Sequence, residues 1–190
     1  MASKVQIANR ALQLIGAKRI TDLDEDSRNA RAINAAFEPV KLAELRKHSW
    51  ACAVKREQLA ASSTAPAFTK TNAFPLPADF VRLLPQDPED TFNTDDREIE
   101  GRSIITDEDA PLNIRYIYDV TDPNEMDALF REALAAKLAE AICEEITQSN
   151  SKIATANAAY KDVIADAKRV NAIEKPSQKP PEDEWVTCRR

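Results

Sequence analysis

Only two glycines, Gly16 and Gly101, stand in this chain of 190 residues. Glycine takes left-handed backbone without steric penalty, so tight turns must use those two positions or be built another way. Two isolated glycines cannot make a G-x-G-x-x-G or Walker loop, which excludes the enzymes that cradle phosphates in such loops. Eleven prolines act as the punctuation instead, falling mostly between or after segments that read as helices.

The first helix is expected over about Ser3 to Ile15. Val5, Ala8, Leu12 and Ile15 share one face, Ser3 serves as the cap, and Gly16 sits where a left-handed C′ residue is wanted. An acidic loop, Thr21 to Asp26, leads to a second helix from near Ser27 that ends before Trp50. It carries Ala30, Ile33, Phe37 and Val40, then Leu42 and Leu45. Pro39 lacks the N–H for its intrahelical bond, which predicts a kink or break there. Acidic residues before Ser27 and Arg46-Lys47-His48 at the far end suit the helix dipole.

From about residue 51 to 120 the pattern changes. Ala51–Leu59 reads as a strand and Ala60–Pro66 as a loop; Phe80–Leu84 is a short apolar strand. Glu100-Gly101, between Ile99 and Ile104, reads as a hairpin turn. Leu112, Ile114, Tyr116, Tyr118 and Val120 alternate on one face, the clearest period-2 signal in the chain. Asp122-Pro123-Asn124-Glu125 then matches a helix start, with an N-cap acid, a proline at the first position and a capping-box glutamate. The helix that follows carries Met126, Phe130, Leu134, Leu138, Ala141, Ile142 and Ile146. After Gln148 to Ser151 a fourth presents Ile153, Ala156, Tyr160, Val163, Ile164, Ala167 and Val170. Two long amphipathic helices joined by a short polar turn should pack antiparallel.

From Lys175 the periodicity stops, and Pro176, Pro180 and Pro181 favour extended backbone. Trp185 stands on this polar segment, although burying a large side chain is worth about 1.5–3 kcal/mol. Docking on the chain's own body and plain disorder are the bland accounts. The functional account is a partner-docking tail with Trp185 and Val186 as apolar contacts and Arg189 and Arg190 as charged ones.

Chemistry is sparsely signalled. His48 is the single histidine, so a two-histidine metal site within one chain is excluded, and a helix-end position beside Trp50 fits dipole capping better than catalysis. Asp22, Asp24 and Asp26 open like an EF-hand loop. The sixth position is then Ser27 and the twelfth Ile33, where calcium loops place glycine and glutamate. Asp107-Glu108-Asp109 is a second acidic cluster without a ligand pattern. Cys52, Cys143 and Cys188 are odd in number and widely spaced, as reduced thiols would be. No catalytic residue, metal site or cofactor is expected, so the chain reads as no enzyme. A net charge of −6, from 32 acidic and 26 basic side chains, argues against nucleic-acid binding as the main task. No apolar run is long enough to span a membrane, and Met1 to Val5 does not open like a signal peptide. A soluble protein made in the cytosol is expected.

The order of short motifs resembles a known family. Ala11 to Gly16, Ala30-Arg31-Ala32 and Arg46 to Trp50 are followed by Phe74 to Leu83, Ile114-Arg115-Tyr116 and the Asp127–Leu138 helix. Over about residues 3–170 this set is similar to the tail tubular protein A, or head-to-tail adaptor (connector), family of tailed bacteriophages. The resemblance implies a structural subunit of the virion at the head–tail interface, made in the host cytoplasm. It implies a ring, most simply a dodecamer of identical copies, stacked beneath the portal protein. That ring extends the DNA channel and offers an attachment surface to a tail component, a nozzle or a tail tube or terminator. Double-stranded DNA would pass through the lumen during genome ejection without specific binding, and no membrane is involved. Trp50 and the stretch from Pro75 to Leu83 match as fold markers.

The expected fold class is mainly α (α+β): an antiparallel helical bundle with a small β-strand insertion and an extended C-terminal tail. Residues 1–50 would supply the N-terminal helices of the body, 51–120 the β-containing insertion, 121–174 the C-terminal helix pair and 175–190 the docking tail. A competing reading is a DNA-binding packaging or regulatory helical protein, small-terminase-like, with Arg28, Arg31, Lys41, Arg46 and Lys47 as its basic cluster. A muralytic enzyme is a third class, which no residue singles out.

Overall fold

Ser3 opens helix α1 (Lys4–Leu14) by accepting the Gln6 amide while the Gln6 side chain accepts the Ser3 amide, a reciprocal capping box. These details come from a computed structural model that describes residues 2–85 and 96–174. At the other end Gly16 adopts φ +68°. Its amide reaches the Gln13 carbonyl and that of Ala17 the Leu12 carbonyl, so the exposed carbonyls of the last turn are satisfied.

Helix α2 (Arg28–Lys47) begins at Ser27, whose hydroxyl accepts the Ala30 amide. It runs unbroken through Pro39, where a kink or break was expected. Phe37 and Leu45, on either side of the proline, are both buried, and packing of both halves against the body outweighs one missing backbone bond. Helix α3 (Ala128–Thr147) also starts differently from expectation. Asp127 is its cap, with Oδ2 accepting the Leu129 and Phe130 amides. Asp122-Pro123-Asn124-Glu125 closes a separate turn, in which the Glu125 amide donates to the Asp122 carbonyl. That turn seats Met126, 3% exposed, in the core before the helix begins. Gln148 in left-handed conformation and Ser149 then reverse the chain into α4 (Asn150–Ile173). Asn157 donates to Glu140 across this hairpin, as antiparallel packing requires.

A single 3-10 turn, Ala51–Ala53, leads from the first helix pair into the strands. These are β1 (Val54–Leu59), β2 (Asn72–Pro75), β3 (Phe80–Leu84), β4 (Glu98–Glu100), β5 (Ser103–Thr106) and β6 (Leu112–Tyr118). They form two antiparallel three-stranded sheets, ordered β1-β6-β3 and β2-β5-β4. Glu100 pairs with Ser103, so the β4–β5 hairpin turns on Gly101 and Arg102, with Gly101 at φ +56°. A register shift between Phe80 and Arg82 bends the edge strand β3.

The central strand β6 has both faces covered. Leu112, Ile114 and Tyr116 join Leu59, Phe74 and Ile104 in a core between the two sheets. Ile117 joins Val81, Leu84 and the helices in the larger core. The architecture is therefore layered, with helices on one face of the first sheet and the second sheet on the other.

This corrects the expected fold class. Among the described residues 48% are helical and 18% are in strands, and the fold is α+β instead of a helical bundle bearing a small insertion. The strands are a structural layer with their own core. The missed strand β2 explains much of the difference. It is four residues long and ends on Pro75, yet Phe74 is fully buried within it, and so short a segment shows no period.

Candidate functional site

Helix α2 and the corner after it meet the rest of the body at three polar junctions. Lys41 is fully buried, with Nζ 2.6 Å from Glu38 Oε2 and 2.7 Å from Asp119 Oδ1. One turn on, Glu44 is 2% exposed. It pairs with Lys47 at 2.5 Å and accepts the Tyr160 hydroxyl of α4 at 2.8 Å. Burial and then the Glu44 contact push the Tyr160 phenol well above its ordinary value. Lys137 of α3 lies over the Tyr160 ring and pairs with Glu140.

The third junction holds the corner after α2. Asn171 of α4 accepts the Ala51 amide and donates to the Ser49 carbonyl, and its side-chain nitrogen lies 3.0 Å from His48 Nε2. His48 also meets Trp50 edge to face. Trp50 donates its indole N–H to the Glu44 carbonyl and packs on Phe130. The single histidine thus belongs to a helix-end clamp that ties α2 to α4.

A fourth cluster lies in the sheets. The Tyr116 hydroxyl is 2.8 Å from Glu57 Oε2 and 3.0 Å from Asp79 Oδ1. Lys55, paired with Asp79 at 2.9 Å, offsets the second carboxylate, since one phenol proton cannot serve both. Burial and then the two carboxylates push this phenol far up.

The helix-facing side of the first sheet carries Arg56 opposite Arg115, and Arg82 opposite Ile117. Arg82 donates to the Ser49 hydroxyl at 2.7 Å. Burial and then neighbouring Arg46 push its guanidinium down. Arg56, Glu57, Gln58, Asn113, Ile114 and Arg115 line an open cavity of about 300 Å³.

The residues singled out from sequence fall in different places. Trp185, Val186, Arg189 and Arg190, the tail contacts, lie outside the described residues, as does Cys188. Asp22 accepts the Asp24 amide, Asp26 pairs with Arg31, and Glu25 accepts both the amide and the hydroxyl of Thr21. Asp107 accepts from Thr71, and Glu108 grips Arg97. Cys52 and Cys143 are free thiols, and burial pushes that of Cys52 up. Among the described residues no group of three His, Cys, Asp or Glu is placed to hold a metal ion.

Of the proposed basic cluster on α2 only Lys41 is buried; Arg28, Arg31, Arg46 and Lys47 are exposed but have partners within the chain. Arg28 donates to the Glu145 carbonyl, Arg46 to the Val81 carbonyl, and Arg31, Lys41 and Lys47 have acidic partners. Sequence reading missed the burial of Lys41 and Glu44. The signal available was their spacing of three with Glu38, beside the apolar Phe37 and Leu45.

Several carboxylates titrate below their ordinary range. Arg97 draws Glu108 down against the effect of burial. For Glu38, burial acts upward but is outweighed by Lys41 and Lys4; for Glu140 it is outweighed by Lys137 and Asn157. Because these folded-state values are depressed, their stabilisation is present above the ordinary carboxylate value and is lost as pH falls through the folded values. The urea midpoint is expected to hold from pH 7 to about 5 and to drop steadily toward about pH 3. A midpoint that stays level or rises on acidification would contradict the assignment.

Compared with protein-family models the chain matches none, and a search of curated proteins likewise finds no match.

Proposed function

We propose that the chain is a non-enzymatic assembly subunit of a tailed bacteriophage, a head-to-tail adaptor that forms a ring under the portal and carries the tail. The observation behind this reading is where its family-like segments fall. Leu12, Ala30, Trp50, Phe74, Val81, Ile114, Tyr116 and Leu138 all lie in those segments, and all are buried. Each of those segments therefore contributes at least one side chain to the core of the α+β body.

Two physical features support the same role. A net charge of −6 discourages phosphate from sticking to a DNA conduit. The cross-braced junctions around Lys41, Glu44 and Asn171 suit a rigid subunit. The basic residues of α2 that a recognition helix would need already have partners within the chain, which weighs against a small-terminase-like regulator.

The test is the mass of the full chain, measured with and without purified portal rings. A ring complex with portal is the expected outcome; a monomer that never binds portal would sink the adaptor reading. In the same assay, deleting residues 176–190 is expected to weaken portal binding while the circular dichroism of the body is unchanged.

A further inference from the structure

Phe68 is the most exposed large apolar side chain among the described residues, at 78%. It stands on the long loop between β1 and β2, and that loop is held. The Lys70 amide donates to the Phe68 carbonyl at 2.9 Å, and the Thr69 hydroxyl donates to it at 2.7 Å. Thr69 sits at φ +68°, a conformation that a β-branched residue adopts only under strain. Lys70 pairs with Asp96 and lies 3.5 Å from Asp107, whose carboxylate also accepts the Thr71 amide. A strained, pinned backbone thus presents a phenyl ring to water.

A shallow, open hollow lies on the helical side. Asn150, Ile153, Ala154, Asn157, Ala158 and Lys161 of α4 line a notch of about 560 Å³. Alanine has no side chain beyond Cβ, so Ala154 and Ala158 leave room between longer neighbours. The charges also agree. The Phe68 loop stands beside the acidic end of the second sheet, with Asp96 and Asp107 on Lys70 and Glu98 and Glu100 exposed nearby. The notch has Lys161 among its lining residues and no acid.

We propose that Phe68 of one copy inserts into the α4 notch of the next copy. Knob and hollow lie on different elements of one chain, so the contact can repeat head to tail around an axis, closing into a ring if the rotation permits. Aromatic side chains are the enriched anchors of such interfaces. The inference rests on the reading that copies of this chain assemble with one another, and it names the surfaces.

The experiment uses the full chain with p-benzoylphenylalanine at position 68, irradiated alone and with portal rings, with the products mapped by mass spectrometry. Cross-links from position 68 to residues 150–161 of another copy are expected. Cross-links to the same copy, to portal or to another surface, or none at all, would overturn the contact. Two substitutions run alongside, Phe68→Ser and Ala158→Arg. Both positions are exposed, so circular dichroism should match the parent while self-association weakens roughly tenfold or more. Unchanged self-association in both would equally refute it. Portal binding of the unsubstituted chain is scored separately. A chain that binds portal without the position-68 cross-link loses this contact and keeps the adaptor reading; the reverse result does the opposite.

Discussion

Replacing Asp119 by alanine is expected to destabilise the fold by about 3 kcal/mol, the range found when one partner of a buried ion pair is removed. Lys41 is fully buried, and its two carboxylate partners are Glu38, with 48% of its side chain exposed, and Asp119, with 25% exposed. Without Asp119 the ammonium group keeps only the better-solvated and weaker partner, at a site water does not reach. The double change Lys41→Met with Asp119→Leu should recover most of the loss, because apolar side chains of similar size need no pairing. Urea unfolding of the three proteins measures this. A single substitution with an unchanged midpoint would mean that the pair contributes little.

Trp50→Ala carries the other large effect. Trp50 is 1% exposed, packs on Phe130 with ring centroids 4.9 Å apart, and donates its indole N–H to the Glu44 carbonyl. Truncation leaves a cavity where α2, α3 and α4 converge and costs about 3–5 kcal/mol. That is a large share of the roughly 5–15 kcal/mol that holds a domain together. Thermal unfolding is expected to shift down by roughly 6–20 °C, at about 2–4 °C per kcal/mol for a chain of this size. Trp50→Phe should fall between, since it keeps an aromatic ring and loses the hydrogen bond. A Trp50→Ala protein that melts with the parent would remove Trp50 from the core.

The elements whose signals are local were legible before any coordinates. Ser3 and Ser27 cap helices through their own hydroxyls, and Gly16 and Gly101 take the positive φ that other residues avoid. The alternation from Leu112 to Tyr116 follows from side chains pointing to opposite faces along a strand. Where several local signals compete, the neighbours decided. Asp122 and Asp127 are both competent caps, and the turn that seats Met126 in the core leaves the helix start to Asp127. The candidate site was less legible still. Lys41 reads as a surface charge until Asp119, far along the chain, is brought to it, and the exposure of Phe68 depends on every element that could have covered it.

The sequence by itself determined the caps at Ser3 and Ser27, the two glycine turns, the helix hairpin and the alternating strand, because each depends on residues within a turn or two of one another. Its two isolated glycines and one histidine also leave no glycine-rich phosphate loop and no two-histidine metal site within this sequence. Tertiary structure decided the rest. It buried α3 nearly all round, with Ala133, Ala135, Ala136 and Ala139 inside as well as Phe130 and Leu134, because α1, α2 and α4 all pack on it. It also raised the strands from an insertion to a layer, through pairings between residues as distant as Val54 and Ile117. Such pairings join segments that carry no local trace of one another, so no periodicity records them.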